Sequence, residues 1–298
     1  MTRLVKLTIV VNCTDRKSQV PTPDLRLRSL PPGDLSTRFA SWRRRVEAAP
    51  GTTKLIDLYQ GEAWQQVRKL AGDASDSGFD VKLLVASAGL GLREVDSYGP
   101  AYAATFAGGH ADSVGSGQVQ LGRWWVRLRT LRGARRLCET ADDRVLLVLS
   151  ETYARAMDED LAALATLGGD VLLVGGARNI AGMPRLAADR ALRRELGGTA
   201  SSLTIRMARA WLARRSCLPL YSVADERAWT RWAQSAAHVE EYRRSPMTDA
   251  QLLGLISKLK ASDPTLSATR ALRRVRDAGI ACEQKRFGEL FRDTVGSS

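Results

Sequence analysis

The sequence predicts an α/β chain: a three-layer fold around a four-stranded parallel sheet, then a helical segment and a small helix-turn-helix-like module. Three observations carry this expectation. Four short apolar runs, Leu4–Val11, Val81–Ala86, Arg144–Leu149 and Val171–Val174, are continuous rather than alternating, as strands buried on both faces require. Stretches of helical spacing separate them, giving the strand–helix alternation of layered α/β folds. After Asn179 the pattern turns wholly helical.

In chain order, the first run leads into a polar loop at Asn12. Leu35–Ala48 and Glu62–Ala71 read as helices ahead of the second run. Trp124–Cys138 reads as the next helix, with Trp124, Leu128, Leu131 and Ala134 along one face. Tyr153–Leu167 links the third and fourth runs and stops at Gly168 and Gly169. Ser201–Arg215 is amphipathic and Arg-rich, and Ala224–Arg244 holds Trp229, Trp232 and Tyr242. The stretch Arg243–Pro246 marks a boundary, so residues 1–245 form the α/β domain with its helical extension and 246–298 the small module. Three short helices fit that module, Asp249–Ala261, Ser267–Ala278 and Cys282–Val295, with Gly279 at a tight corner.

Of 298 residues, 44% are hydrophobic, which excludes a disordered tail and permits a sizeable core. There are 45 Lys plus Arg against 32 Asp plus Glu, a net charge of +13. Eight of the bases are lysine, which leaves 37 arginines. A GC-rich genome favours arginine codons, whereas a polyanionic partner favours the guanidinium fork that grips phosphate. Cys13, Cys138, Cys217 and Cys282 are scattered, and only His110 and His238 could assist them, so no metal site and no disulfide framework is expected. No apolar run is long enough to cross a bilayer, and the N-terminus reads as a strand rather than a signal peptide. The expectation is a cytoplasmic protein with no membrane partner.

Four segments carry candidate chemistry. The loop from Asn12 to Ser18 follows the first strand, where open α/β sheets bind ligands. Asn12 and Asp15 there are the candidate catalytic residues, able to hold a water or stabilise a developing cation, while Lys17 and Ser18 would take a phosphate; an ordinary capping loop is the plainer alternative. The stretch from Ser87 to His110 is long for a loop. Its Gly89 and Gly91 lack the third glycine of a dinucleotide fingerprint, so no cofactor is expected. Tyr98, Tyr102 and Phe106 offer flat faces to a base or anchors to the core. Cys13, Ser87, Tyr98, Tyr102 and Asp112 are the candidate base-binding residues.

The third segment, Arg123–Arg136, holds six arginines and no acid. On one helix Arg129, Arg132 and Arg136 would share a face, an electrostatic footprint for a phosphate backbone. Arg43, Arg44 and Arg123 extend that candidate DNA-binding set, as does Arg178 on a glycine-rich rim after the fourth strand. In the terminal module Gln284 and Lys285 face outward and could reach base edges or phosphates; a helical hairpin for dimerisation is the alternative.

Several of these pieces, in this order, resemble one group of proteins. Residues 10–18, VVNCTDRKS, resemble the element after the first strand in bacterial peroxide-stress DNA-binding proteins and in the α/β domain of archaeosine synthases. LIDLYQGEAWQQV, LLVASAGLGLREVDSYGPAYAATFAGG and LLVLSETYARAM follow in the same running order, and together they span roughly the first 175 residues. Those families are similar in fold to the uracil-DNA glycosylase superfamily, with a base pocket at the strand ends, and some relatives serve in defence against phages with modified DNA. The resemblance implies a DNA-acting enzyme that excises a base from a flipped nucleotide. A non-catalytic DNA-binding stress or regulatory protein is the second expectation, and a nucleotide-sensing or base-transfer enzyme the third.

Overall fold

The computed structural model describes residues 5–141, 144–216, 219–238 and 245–296. Leu4, Cys217, Tyr242, Arg243 and Arg244 lie outside them. The chain divides into two compact units, residues 1–238 and 239–298.

The first unit is α/β and is built on one six-stranded sheet. Its strands are β1 (Val5–Asn12), β2 (Phe79–Ser87), β3 (Gly91–Glu94), β4 (Arg144–Leu149), β5 (Val171–Gly175) and β6 (Arg185–Leu186), in the order β3-β2-β1-β4-β5-β6. The four apolar runs become β1, β2, β4 and β5, paired in parallel, and residues such as Leu7, Ile9, Val85, Leu147 and Leu173 are buried. The four-stranded parallel sheet is corrected to a mixed six-stranded one. β3 folds back antiparallel on β2, and β6 adds two residues at the other edge. Both additions are short and carry arginine, so neither has the apolar run by which a buried strand is read.

The chain leaves β1 for β2 on one side and returns to β4 on the other, which opens a crevice at the carboxyl ends of β1 and β4. In register, Asn12 lies opposite Ala86, and Val11 lies opposite Val148.

Helices cover the sheet. α1 (Leu35–Ala48) is capped by Asp34, whose carboxylate accepts from the Thr37 N–H at 2.7 Å, and it buries Phe39, Trp42 and Val46. α2 (Glu62–Asp76) buries Trp64, Val67 and Leu70. α3 (Gln118–Leu128) stops well short of the expected Cys138. The reason is a competing strand partner: Arg135 N donates to Leu92 O at 2.8 Å, and Gly133 turns the chain at φ 76°. Arg129, Arg132 and Arg136 therefore do not share a helix face. The expected helix Tyr153–Leu167 is two helices, α4 (Glu151–Ala156) and α5 (Asp158–Leu167). α6 (Leu203–Arg214) and α7 (Val223–Ala236) complete the unit.

The second unit holds α8 (Asp249–Ser262), α9 (Ala268–Asp277) and α10 (Gln284–Gly296). Ser245–Pro246 pairs in parallel with Ile280–Ala281. Thr248 and Gln251 form a capping box on α8, and the Ser267 hydroxyl caps α9. Leu252, Ile256, Leu272, Val275, Phe287 and Phe291 form its own core, and Gly279 takes the corner at φ 78°.

One glycine tests the sheet packing. Gly175 ends β5 at φ 89°, and a Cβ there would meet Leu149 O at 2.2 Å. Gly175→Ala is expected to lose about 3 kcal/mol or more from strain and clash together, read by urea unfolding; a loss under about 0.5 kcal/mol would contradict this packing.

Candidate functional site

The site is assembled where β1, β2 and β4 end. Asn12 closes β1, and its side-chain oxygen accepts from the Ser150 N–H at 2.8 Å, which ties the β1 end to the start of α4. Cys13 N donates to Ala86 O at 2.9 Å and prolongs the pairing with β2 by one residue. The loop then runs against the segment around Tyr59. Thr14 Oγ1 donates to Gln60 O at 3.0 Å, Gln60 N to Arg16 O at 2.9 Å and Ser18 N to Leu58 O at 2.8 Å. Residues 13–18 are thus pinned from both ends, and two of the sequence motifs meet here.

Beneath the loop lies a chain of buried hydroxyls. Ser87 Oγ accepts from Gly89 N at 3.2 Å and Leu90 N at 2.9 Å, so both lone pairs are occupied and its own hydrogen goes to Tyr102 Oη at 2.5 Å. Tyr102 Oη lies 2.9 Å from Tyr59 Oη and donates to Cys13 Sγ at 3.4 Å. Cys13 Sγ is also 3.0 Å from Tyr153 Oη. Burial pushes the phenols of Tyr59, Tyr102 and Tyr153 well above the ordinary tyrosine range, so all three keep protons to donate.

The sequence explains how this turn is held. A Cβ on Gly89 would meet the Tyr102 ring at 2.4 Å, so glycine lets the ring in. Trp42 Nε1 donates to Gly89 O and Trp124 Nε1 to Ala88 O, each at 2.8 Å.

Lys17 covers the cluster. Its ammonium stands 4.3 Å from the centre of the Tyr102 ring and 5.7 Å from that of Tyr59. Among the described residues it donates only to backbone carbonyls of its own loop, Asp15 at 3.2 Å and Thr14 at 3.4 Å. Desolvation lowers its pKa below the ordinary lysine value, against the opposing pull of Cys13, Asp15 and Asp112. The Asp15 side chain is exposed, and among the described residues no hydrogen bond or ion pair holds its carboxylate.

The structure brings Asn12, Cys13, Asp15, Lys17, Ser87 and Tyr102 together. It does not bring the others to them. Tyr98 is 56% exposed and lies on a two-residue ribbon with Lys54, with no hydrogen bond or ring contact to the cluster. Ser87 and Tyr102 are buried, so they form the floor and not an open wall. Asp112 is buried and locked to Arg28, whose backbone N and side-chain Nε each donate to it at 3.0 Å. Sequence reasoning misses Tyr59, Ser150 and Tyr153, although each sits in a motif beside a strand or loop end.

The basic residues divide. Arg129 pairs at 2.5 Å with Asp160, whose carboxyl is raised by burial and also accepts from Trp125 Nε1. Arg178 pairs with Asp158 at 2.8 Å. Arg43, Arg44, Arg123, Arg132 and Arg136 are exposed and, among the described residues, have no ion-pair partner. Gln284 and Lys285 open α10; Gln284 is exposed, and the Lys285 side chain lies outside the described residues. A cavity of about 640 Å³ opens against Gln19 and Val20, which continue the site loop, and Arg44, Pro50 and Ala101 line it as well. Among the described residues no cluster of histidine, cysteine and acidic side chains could hold a metal, and no helix is long and apolar enough to cross a membrane. Compared with known proteins, the chain matches no family model, no curated protein and no solved structure.

Two measurements test this geometry. Tyr102→Phe leaves the Ser87 hydrogen without its acceptor and should cost about 1–3 kcal/mol, while adding Ser87→Ala should cost less than the sum of the two single changes. Additive losses in urea unfolding would show that the two hydroxyls do not interact. At Asp112, burial alone would raise the carboxyl, but the hydrogen bonds and charge of Arg28 outweigh it and hold the group below the ordinary carboxylate range. Its stabilisation is therefore complete above the unfolded value of about 3.9 and is lost as pH falls through the lower folded value. Asp112→Asn should melt below wild type at neutral pH, with the gap narrowing below about pH 4.

Proposed function

We propose that the chain is a DNA-acting enzyme of the glycosylase-like class, working on a nucleotide turned out of its strand. The observation that carries this reading is the loop at the carboxyl ends of β1 and β4. It presents Asn12, the exposed Asp15 carboxylate and the Lys17 amine at the switch point of an open α/β sheet, in a chain of net charge +13. Asp15 would stabilise the cationic sugar or align water, and the Asn12 amide, fixed by Ser150 N, would orient the substrate. The cavity beside the loop has the volume of a small-molecule site, and its apolar walls with Arg44 suit a base and a phosphate. Exposed Arg43, Arg44, Arg123, Arg132 and Arg136 would contact the backbone. In the second unit α9, Gly279 and α10 would serve as a helix-turn-helix-like contact through Gln284 and Lys285.

One observation favours a second reading, a non-catalytic DNA-binding protein: Ser87 and Tyr102 are sealed beneath the loop, so no base can reach them in this conformation. The two readings separate by experiment. Modified and unmodified phage DNA, incubated with the protein and then treated with alkali, should break at abasic sites with wild type and far less with Asp15→Ala. Binding without breakage would leave the second reading. For either, changing Arg43, Arg44 and Arg123 to Gln should weaken binding and flatten the logarithmic salt dependence, its slope falling by about 0.9 for each phosphate no longer neutralised. An unchanged slope would remove these arginines from the interface.

A further inference from the structure

Lys17 is arranged unlike a phosphate ligand. Its ammonium lies over two tyrosine rings and, among the described residues, meets no carboxylate at ion-pair distance and gives hydrogen bonds only to two carbonyls of its own loop. Composition sharpens the point, because the chain uses 37 arginines and only eight lysines. A guanidinium stacks on aromatic rings and binds phosphate at least as well, so neither role explains a lysine here. What lysine offers and arginine does not is an amine that can lose its proton and attack carbon. Desolvation favours that neutral amine.

We infer that Lys17 is the amine that condenses with the aldehyde of a ring-opened abasic deoxyribose, so that the site cuts the strand as well as removing the base. The inference rests on the DNA reading above and names the chemistry of the same site. The neutral amine adds its lone pair to C1′, forming the C–N bond. The aldehyde oxygen leaves as water, carrying one hydrogen from the amine and one proton from solvent, and a protonated imine remains. Loss of a proton from C2′ sends that C–H pair into a C2′=C3′ double bond, and the 3′ phosphate departs with the C3′–O pair. The exposed Asp15 carboxylate on the same loop is the base that takes the C2′ proton. Water then hydrolyses the imine and returns the amine.

The test supplies a duplex with a single ready-made abasic site, so no base removal is needed, together with cyanoborohydride, whose hydride reduces the imine to a stable secondary amine. Full-length wild type should form a covalent protein–DNA adduct, mapped by mass spectrometry to the peptide containing Lys17. Lys17→Arg, which keeps a cation over the rings, should lower trapping about tenfold or more. No adduct, an adduct on another lysine or on the N-terminus, or equal trapping by Lys17→Arg would overturn the inference. Trapping at Lys17 on abasic DNA without base removal from intact DNA would instead count against the glycosylase reading alone.

Discussion

Buried hydroxyls that see no water must satisfy one another, and at the strand ends this requirement joins three strands into one site. Ser87 ends β2, Cys13 follows β1, and Tyr153 stands just after β4. Tyr102, from the long connection after β3, lies between Ser87 and Cys13, and Tyr59 approaches it from the segment that pins the site loop. Because Ser87 Oγ already accepts two backbone N–H groups, the direction of its own hydrogen bond is fixed, and the Tyr102 hydroxyl that accepts it donates in turn to Cys13 Sγ. A network with its directions set in this way resists partial opening, since each broken bond would leave a buried polar atom unpaired. The loop above it inherits that rigidity.

The charge excess acquires a different meaning once partners are visible. Composition presents +13 as a single quantity, and the run from Arg123 to Arg136 as a stripe. In the fold the run is divided: Arg129 pairs with the half-buried Asp160, Arg127 donates to Ser36, and Arg135 pairs with Glu94. Arg206 and Arg209 are tied to Glu62 and Asp73 on α2. Their work is to fasten helices. Within the run only Arg123, Arg132 and Arg136 are exposed and, among the described residues, without an ion-pair partner; Arg43 and Arg44 share that state on a separate element, α1.

Legibility follows the length of the signal. The four apolar runs are readable because strands buried on both faces leave no polar positions, and α1 because Asp34 and its apolar face agree. The antiparallel β3 is not, since Gly91–Glu94 carries two charged residues and depends on the Gly91 turn for its place. The third helix reads too long because periodicity cannot register that the backbone of Arg135 is taken by Leu92. At the site, the loop after β1 is legible from topology alone. Tyr59 and Tyr153 are not, because their partners Tyr102 and Cys13 lie 43 and 140 residues away in sequence. Asp112 reads as a base ligand although its partner Arg28 lies 84 residues earlier, and no local pattern announces such a pair.

The pinned loop explains how an unusual lysine environment is maintained. A flexible lysine left to itself turns its ammonium to water, and holding it over two rings costs both hydration and rotamer freedom. That cost is met here by backbone, not by a salt bridge. The Tyr59 segment fixes the loop through three main-chain bonds or side-chain bonds to main chain, and the two carbonyls that receive the ammonium belong to residues so fixed or adjacent to them. A carboxylate partner would have held the amine more tightly but would have stabilised its proton. Carbonyl dipoles and ring faces hold the cation while desolvation still lowers its pKa, and the Asp15 side chain stays exposed on the same loop. Main chain thus does the positioning, and the side chain is left for the chemistry proposed for it.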